Sequence, residues 1–304
     1  MAEFNGMDTV RMAVDILTSL GADKAQASLS RGERSELNVD AGRMSLYRTT
    51  VNVSIGMTAH KGGRKGSVSV NRYDEASIRD AADQALAMAE SSQPDPANDI
   101  SPSQPYSRVD AGDRVPDSAA MYDRLAEFVD WSATTLPSTR LEQCVLDFGR
   151  GESFYANSNG AAFEERSGLY NFYAMFTTKE GTAASSFNYS GASHRALRLP
   201  LGNWGRVEQL MRESAGQTKV APVEGAFEGD IILTPESLGD FLGSLDDVYM
   251  GDYALITGNS PWKDRLGHTV VSPLLTVSSE PVGSRIEAGR SEERRVGKEC
   301  RSRW

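Results

Sequence analysis

The chain has 304 residues, a formal net charge of −10, two cysteines and three histidines. An acidic chain repels nucleic-acid phosphates, and no basic stretch interleaved with aromatic residues offsets that repulsion, so nucleic-acid binding is disfavoured. No segment approaches the roughly 20 apolar residues of a membrane-spanning helix. The N-terminus also lacks the basic region and apolar core of a secretory signal, so we expect a cytoplasmic protein.

The C-terminal residues 290–304, RSEERRVGKECRSRW, are dense in charge and have no apolar periodicity. The string resembles a translated sequencing-library adapter, which would interrupt the natural reading frame near Gly289; a natural basic tail is the alternative. We exclude it from fold predictions. Cys300 lies in this string, which leaves Cys144 without a disulfide partner. Because Cys144 lies in the apolar run CVLDF, we expect a buried small hydrophobe and not a nucleophile.

The N-terminal region predicts two helices around antiparallel strands. Apolar residues at helical spacing predict a helix over 7–20, which Gly21 ends. A second helix is predicted over 74–91, with Asp74 as its N-cap. Between them, alternating patterns predict strands, with a glycine turn at 61–66 joining the last two into a hairpin. The predicted strands are 25–30, 35–39, 45–48, 50–60 and 67–71.

The segment that follows is rich in Pro, Ser and Asp, which is typical of a linker. Beyond it, a helix is predicted over 121–134 and another near 204–215. An Asn-Gly turn at 158–160 predicts a hairpin between flanking strands. The remaining predicted elements are strands at 141–149, 152–157, 161–166, 169–179 and 229–234 and a helix at 235–245.

These elements predict an α+β fold. Its N-terminal domain of helices and antiparallel sheet covers residues 1–92, and a linker follows at 93–118. The start of a mostly β C-terminal domain covers 119–289, and 290–304 is the non-native tail.

The histidines do not form a recognisable metal motif. His60, His194 and His268 are far apart, and none has a His, Cys or carboxylate partner at helical ligand spacing. Zinc needs three or four converging groups, so we predict a structural or solvent-facing role for each histidine. Contacts between distant segments could still assemble a site. A self-sufficient metal enzyme that uses these histidines is therefore kept as a hypothesis, and it is weaker than the two hypotheses given below.

Two other clusters are weak candidates. The string KGGRKG at 61–66 is rich in glycine and lysine, but it lacks phosphate-loop spacing and joins two strands, so a cationic hairpin tip is predicted. The carboxylates Asp246, Asp247 and Asp252 are a candidate site for a hard cation. A solvated face or turn is the more common role of such neighbours, and no EF-hand spacing is present.

Several longer segments resemble the TldD/PmbA metallopeptidase family. Residues 21–89 resemble its N-terminal domain, with a Gly-Ala-Asp start, an alternating strand, a glycine-rich hairpin and an Ala-rich helix. The strings YANSNG, FEGDIILTPESLGDFLGSL and GNSPWKDRLGHTVVSPLLTV add to the likeness. They start at Tyr155, Phe227 and Gly258. The resemblance covers nearly the whole chain before the tail and consists of many weak matches.

The resemblance implies a heterodimeric cytoplasmic peptidase that trims unfolded or modified peptides. In that family the TldD subunit carries an HExxxH helix and a downstream cysteine for zinc. The comparable helix here is 235–245, which has Glu236 and Asp240 but no histidine, and two carboxylates without imidazole make a poor zinc site. The chain therefore resembles the PmbA (TldE) partner, with no catalytic, cofactor or metal residues of its own and zinc in the TldD-like subunit. The alternative is a non-enzymatic peptide-binding or assembly protein.

Overall fold

The computed structural model describes residues 5–222, 225–226 and 228–276. The chain divides into two compact units, one that ends at Lys219 and one that begins at Val220. The predicted tail at 290–304, with Cys300, lies outside the described residues.

The first unit is built on one mixed sheet in which nearly all pairs are antiparallel. The strand order is β3-β2-β1-β5-β6-β4, and β7 and β8 also pair with β6. Among the strands of the described ranges, only β4 runs parallel to its neighbour. The strands are β1 (Lys24–Asp40), β2 (Arg43–Lys61), β3 (Arg64–Val70), β4 (Ser107–Ala111), β5 (Thr139–Asn157), β6 (Ala162–Glu180), β7 (Ala183–Ala184) and β8 (Asn188–His194).

Four of these strands are longer than the sequence predicts. The predicted breaks at 31–34 in β1, at Thr49 in β2, at 150–151 in β5 and at 167–168 in β6 are wrong. In the sheet, Gly32 is opposite Asn52 on one side and Gly151 on the other, so the ladder passes through it without interruption. A glycine weakens a strand but does not end one that is paired on both sides.

The helices α1 (Gly6–Ser19) and α2 (Glu75–Ser91) cover one end of the sheet. The Asp74 carboxylate accepts from the Ser77 N–H at 3.1 Å, which confirms the predicted N-cap. Their apolar stripes pack on inward residues of β1, β2 and β5 to form a first core. It includes Val10, Leu17, Leu29, Ile55, Met57, Ile78, Ala82 and Phe154, all buried.

A second core lies under α3 (Ser118–Thr135) and α4 (Val207–Glu213), along the other end of the same strands. Trp204 is fully buried there, edge-on to Phe172 at 6.2 Å between ring centroids. Further members are Leu37, Val39, Met121, Leu125, Phe128, Cys144, Leu146, Phe148 and Met211.

Charged side chains fill the strip of sheet between the two cores. Arg150 contacts Glu33 at 2.6 Å, and Arg166 contacts Glu164 at 2.5 Å. These residues occupy the inward positions of β1, β5 and β6 that neither core covers. The strip therefore divides one continuous sheet into two apolar regions.

The predicted linker at 93–118 contains strand β4, which the sequence analysis missed. β4 pairs in parallel with residues 163–167 of β6. In addition, β1 precedes this segment, β5 follows it, and the two pair directly. By packing, the chain divides between residues 219 and 220. The predicted domain boundary at 93–118 stays a prediction.

The second unit contains α5 (Pro235–Leu245), a π-helical turn (Asp246–Met250) and α6 (Asp252–Ile256). The Ser260 hydroxyl donates to the Tyr249 carbonyl at 2.6 Å, and the Tyr249 and Trp262 rings lie 4.6 Å apart. The predicted helix at 235–245 is confirmed, but the predicted strand at 229–234 is wrong. Ile231 and Ile232 are 81% and 92% exposed, and no described strand pairs with them to complete a ladder.

The α+β class, with helices on an antiparallel sheet, is confirmed. No helix in the described part of the chain is long and apolar enough to cross a membrane.

Candidate functional site

The face of the sheet opposite the helices is polar at the end near α1 and α2. Side chains alternate between faces along a strand, so Gln26, Ser28 and Ser30 point away from the first core that Ala27 and Leu29 enter. The facing positions on neighbouring strands follow from the register. They include Ser54, Gly56, Thr58, Ser67, Ser69, Ser153, Tyr155, Phe163 and Glu165.

All of these residues except Ser54 line an open hollow of about 640 Å³. Tyr155 and Phe163 stack within it, with ring centroids 5.7 Å apart. The Tyr155 hydroxyl donates to the Gln26 side-chain carbonyl at 2.9 Å. Lys65 and Glu165 contribute opposite charges to its wall, and Glu164, which also lines it, is paired with Arg166. The hollow therefore offers neutral hydroxyls and an aromatic surface, which suit hydrogen bonding and stacking better than the binding of a strongly charged ligand.

Farther along the same face, two nearly buried carboxylates share an arginine. The Arg34 guanidinium donates to Asp147 at 2.8 Å and lies 3.4 Å from Glu36. Asp147 also accepts from the Asn171 amide at 3.0 Å, and Glu36 contacts Arg48 at 2.8 Å. The hydrogen bond to Asp147 is the main cause that raises the pKa of Arg34. Because each carboxylate already has cationic partners, the cluster is suited to fixing the strands and not to proton transfer.

The structure keeps His60 and His194 far apart. His60 is opposite Lys24 of β1, whereas His194 is connected to Ser35 of β1 through Tyr170 and Phe148. Lys24 and Ser35 are about 36 Å apart along β1, at roughly 3.3 Å per residue. These two histidines therefore cannot ligate one metal ion.

The local surroundings of the histidines differ. His60 is 5% exposed. The His194 ring lies edge-on to Trp204, with 4.6 Å between the centroids. His268 belongs to the second unit, where its N–H donates to the Arg265 carbonyl at 2.9 Å. Among the described residues, no three His, Cys, Asp or Glu side chains converge as a metal site would require. The predicted lack of metal ligands stays a prediction.

The remaining candidates have ordinary structural places. Gly62 and Gly63 have φ values of 57° and 73° in the turn between β2 and β3, which confirms the predicted hairpin tip. A strand follows this turn, so it lacks the helix N-terminus that phosphate-binding loops use. Asp246 and Asp247 begin the π-helical turn, and Asp252 begins α6.

Cys144 lies fully buried in the second core. Desolvation by burial is the main cause that raises the pKa of its thiol to about 12, with a smaller contribution from Asp40. A thiolate is the reactive form of cysteine. The prediction that Cys144 is a small core side chain agrees with this burial.

We expect the Cys144 thiol to be inert in the folded protein. At pH 8 a thiol with a pKa of about 12 is ionised to about one part in ten thousand. A Cys300→Ser variant, titrated with Ellman's reagent, should release colour only after denaturant is added. Rapid stoichiometric labelling of the folded variant would show that Cys144 is accessible and ionised.

Comparison with protein families gives two matches. Residues 25–89 match the model described as PmbA/TldA metallopeptidase domain 1. Residues 227–290 match the model of the PmbA/TldA metallopeptidase C-terminal domain. The chain belongs to the TldD/PmbA family. The first match runs from β1 through α2, and the second includes α5.

Solved structures share the fold of this TldD/PmbA family member. TldE from Thermococcus kodakarensis superposes with a TM-score of 0.59 at 15% identity, over 68% of this chain and 46% of that chain. A Bacteroides thetaiotaomicron protein, described as a candidate modulator of DNA gyrase, gives 0.56 at 14% identity over 72% and 50%. A Thermotoga maritima protein with the same description gives 0.54 at 12% identity over 70% and 49%.

The chain spans about half the length of these proteins or slightly less. A comparison with curated protein sequences finds no match. Helix α5 lies within residues 227–290, the segment that matches the C-terminal domain model. Asp240 on this helix is exposed, and the helix sequence PESLGDFLGSL has no histidine.

Sequence reasoning did not find the polar hollow. The signal was present as hydroxyl residues at alternate positions of β1, β2 and β3, namely Ser28, Ser30, Thr58, Ser67 and Ser69. Only the pairing of these strands shows that the residues share one face.

Proposed function

We propose that this chain is a PmbA/TldE-type subunit of a two-subunit cytoplasmic zinc metallopeptidase. In this role it binds extended, unfolded or modified peptides, and a TldD-type partner cleaves them. The observation that carries the proposal is the helix α5, which belongs to the matched C-terminal domain of a metallopeptidase family yet has no histidine. Glu236 and Asp240 alone make a weak zinc site, because zinc in hydrolases takes imidazole or thiolate ligands in most cases.

Because α5 has no imidazole, the two subunits would have different roles. The partner would supply the zinc ion, which lowers the pKa of its bound water and generates the nucleophile. The present chain would contribute surfaces that hold the peptide in an extended form. The fold likeness to TldE from Thermococcus kodakarensis supports the assignment to the non-zinc type.

The test is peptide hydrolysis by the purified chain, by a TldD-type protein and by their mixture. We expect cleavage of an unstructured fluorogenic peptide only in the mixture, and we expect a zinc chelator to abolish it. A matched control uses His60→Ala, His194→Ala and His268→Ala variants, each of which should support the same chelator-sensitive cleavage.

Two outcomes would contradict the proposal. Chelator-sensitive cleavage by the chain alone, reduced in one of the histidine variants, would indicate a self-sufficient metal enzyme. Binding of peptide with no cleavage in the mixture would instead indicate a non-enzymatic peptide-binding or assembly protein.

A further inference from the structure

One open edge among the described strands lies on β2. The strands at 141–179 are another candidate edge for peptide, but a structural role inside the sheet suits them better. β5 pairs with β1 and β6, and β6 pairs with β5 on one side and with β4 and β8 on the other. By contrast, β3 pairs only with residues 55–61 of β2. Residues 43–54 of β2 therefore have β1 on one side and no described strand on the other.

One face of this open edge carries three exposed apolar side chains, with Thr49 between two of them. Met44 and Tyr47 are opposite Val39 and Leu37, whose side chains point to the helix side of the sheet. Val51 lies on that same face, four residues beyond Tyr47. The exposed fractions are 36% for Met44, 55% for Tyr47 and 53% for Val51. An exposed apolar row beside unpaired backbone groups is a surface on which a further strand can pack.

The other face of the edge carries two arginines, together with Leu46 and uncharged polar residues. Arg48 lies opposite Glu36, and Arg43 lies opposite Asp40, on the face that the helices do not cover. The edge segment 43–54 contains these two arginines and no carboxylate, although the chain as a whole has a net charge of −10. Arg48 contacts Glu36. Within the described residues no carboxylate lies within ion-pair distance of Arg43. Acidic residues on a neighbouring strand would face these guanidinium groups.

We propose that residues 43–54 of β2 bind an extended peptide of alternating apolar and acidic residues by strand addition. The peptide backbone completes the open ladder, its apolar side chains pack on Met44, Tyr47 and Val51, and its carboxylates face Arg43 and Arg48. This inference rests on the proposed function, since it locates where that subunit holds peptide. It also assigns a charge preference that the family match does not supply.

The charge pattern favours a peptide over a second copy of the chain. If two copies paired antiparallel through this edge about Arg48, the two Arg48 side chains would be directly opposite each other. Like charges directly opposite on neighbouring strands are destabilising. An acidic peptide meets the same arginines with the opposite charge.

The test is binding of fluorescein-labelled peptides to the full chain, measured by fluorescence anisotropy without any partner. The probe is an alternating Val-Glu peptide of about ten residues, the upper length of common strands. An alternating Val-Lys peptide of the same length is the charge control, and we expect it to bind about tenfold more weakly, as lost cross-strand ion pairs imply. Backbone pairing is tested with two further Val-Glu peptides, one N-methylated at every Val and one at every Glu.

Successive amide groups of a strand point to opposite edges, so only one set of N–H groups meets β2. We therefore expect one methylated peptide to lose binding and the other to keep it. On the protein side, Tyr47→Ser combined with Val51→Ser should weaken Val-Glu binding about tenfold. Tyr122→Ser is the matched control, because Tyr122 is 52% exposed on α3 and should not contribute.

Three results would overturn the inference: equal binding of the Val-Glu and Val-Lys peptides, equal effects of both methylation patterns, or no effect of the Tyr47 and Val51 changes. Concentration-dependent dimers that the double variant abolishes would assign the edge to a second copy of the chain. The experiments also distinguish failure of this inference from failure of the proposed function. If the wild-type mixture cleaves peptide and the double variant cleaves it equally well, only the edge assignment fails. If Val-Glu binds at the edge but the mixture never cleaves, only the peptidase role fails.

Discussion

Replacing Trp204 with alanine is expected to lower the free energy of unfolding by about 3 to 5 kcal/mol, the usual cost of truncating a large buried aromatic residue. Trp204 is fully buried in the second core. Its ring meets Phe172 and His194 edge-on, and its indole N–H donates to the Leu199 carbonyl at 3.3 Å. The substitution leaves a cavity, removes the ring contacts and leaves this carbonyl without its donor.

Urea denaturation followed by far-ultraviolet circular dichroism measures this loss without relying on tryptophan fluorescence. The matched control is Tyr189→Ala on β8, where the tyrosine is 62% exposed. A control change within about 0.5 kcal/mol of the parent is typical of surface positions. If Trp204→Ala were as mild as Tyr189→Ala, the second core would not pack as described.

Replacing Gly66 with alanine is expected to destabilise the chain by about 3 kcal/mol, at the upper end of ordinary overpacking. A Cβ at this position would lie 2.1 Å from the Ala85 carbonyl oxygen and 2.3 Å from the Ala89 nitrogen. Both atoms belong to the backbone of α2, so a change of rotamer cannot relieve the clash. The helix must move away from β3, which opens the first core.

Gly32→Ala provides the control for this substitution. Gly32 is also inside a strand, and a Cβ added to it meets nothing within 4 Å. Alanine there should leave stability unchanged or slightly raised, because it restricts the unfolded chain more than glycine does. Equal stability of the two variants, measured by thermal and urea denaturation, would contradict the close approach of α2 to β3.

The helices of the first unit could be predicted from the sequence because their apolar spacing and their capping residues indicate the same elements. Val10, Val14 and Leu17 recur at helical spacing and are buried in α1, and Asp74 caps α2 through its own side chain. The hairpin at 158–160 also formed as predicted. The Asn157 side chain accepts from the N–H groups of Asn159 and Ala161, and Gly160 has a φ of 92°. Each feature depends on residues a few positions apart.

The strand lengths and the open edge of β2 could not be predicted from the sequence in the same way. Gly32, Gly151 and Gly168 lie in the breaks predicted for single strands, but pairing between distant strands continues the ladder through them. The apolar segment 229–234 has the composition of a strand but no described neighbour with which to pair. Whether 141–179 or β2 presents an edge depends on strand order, which alternation along one strand does not specify.

In the candidate site, too, features set by neighbouring residues could be predicted, whereas contacts between distant strands could not. The burial of Cys144 and the hairpin at 61–66 followed from neighbouring residues. The contact of Arg34 with Asp147 joins β1 to β5 over a long stretch of sequence. Nothing near Arg34 in the sequence indicates that contact, since Asp147 lies in a segment predicted only as a strand.

The proposed peptidase role is tested by locating the catalytic glutamate in a mixture of this chain with a TldD-type protein. Cleavage by the mixture is measured with Glu236→Gln and Asp240→Asn in this chain, and separately with the glutamate of the HExxxH helix replaced by glutamine in the TldD-type partner. We expect the two changes in this chain to leave the rate near that of the parent mixture, whereas the change in the partner should abolish cleavage. Loss of cleavage on replacing Glu236 or Asp240, with both proteins still folded and associated, would contradict the proposed role.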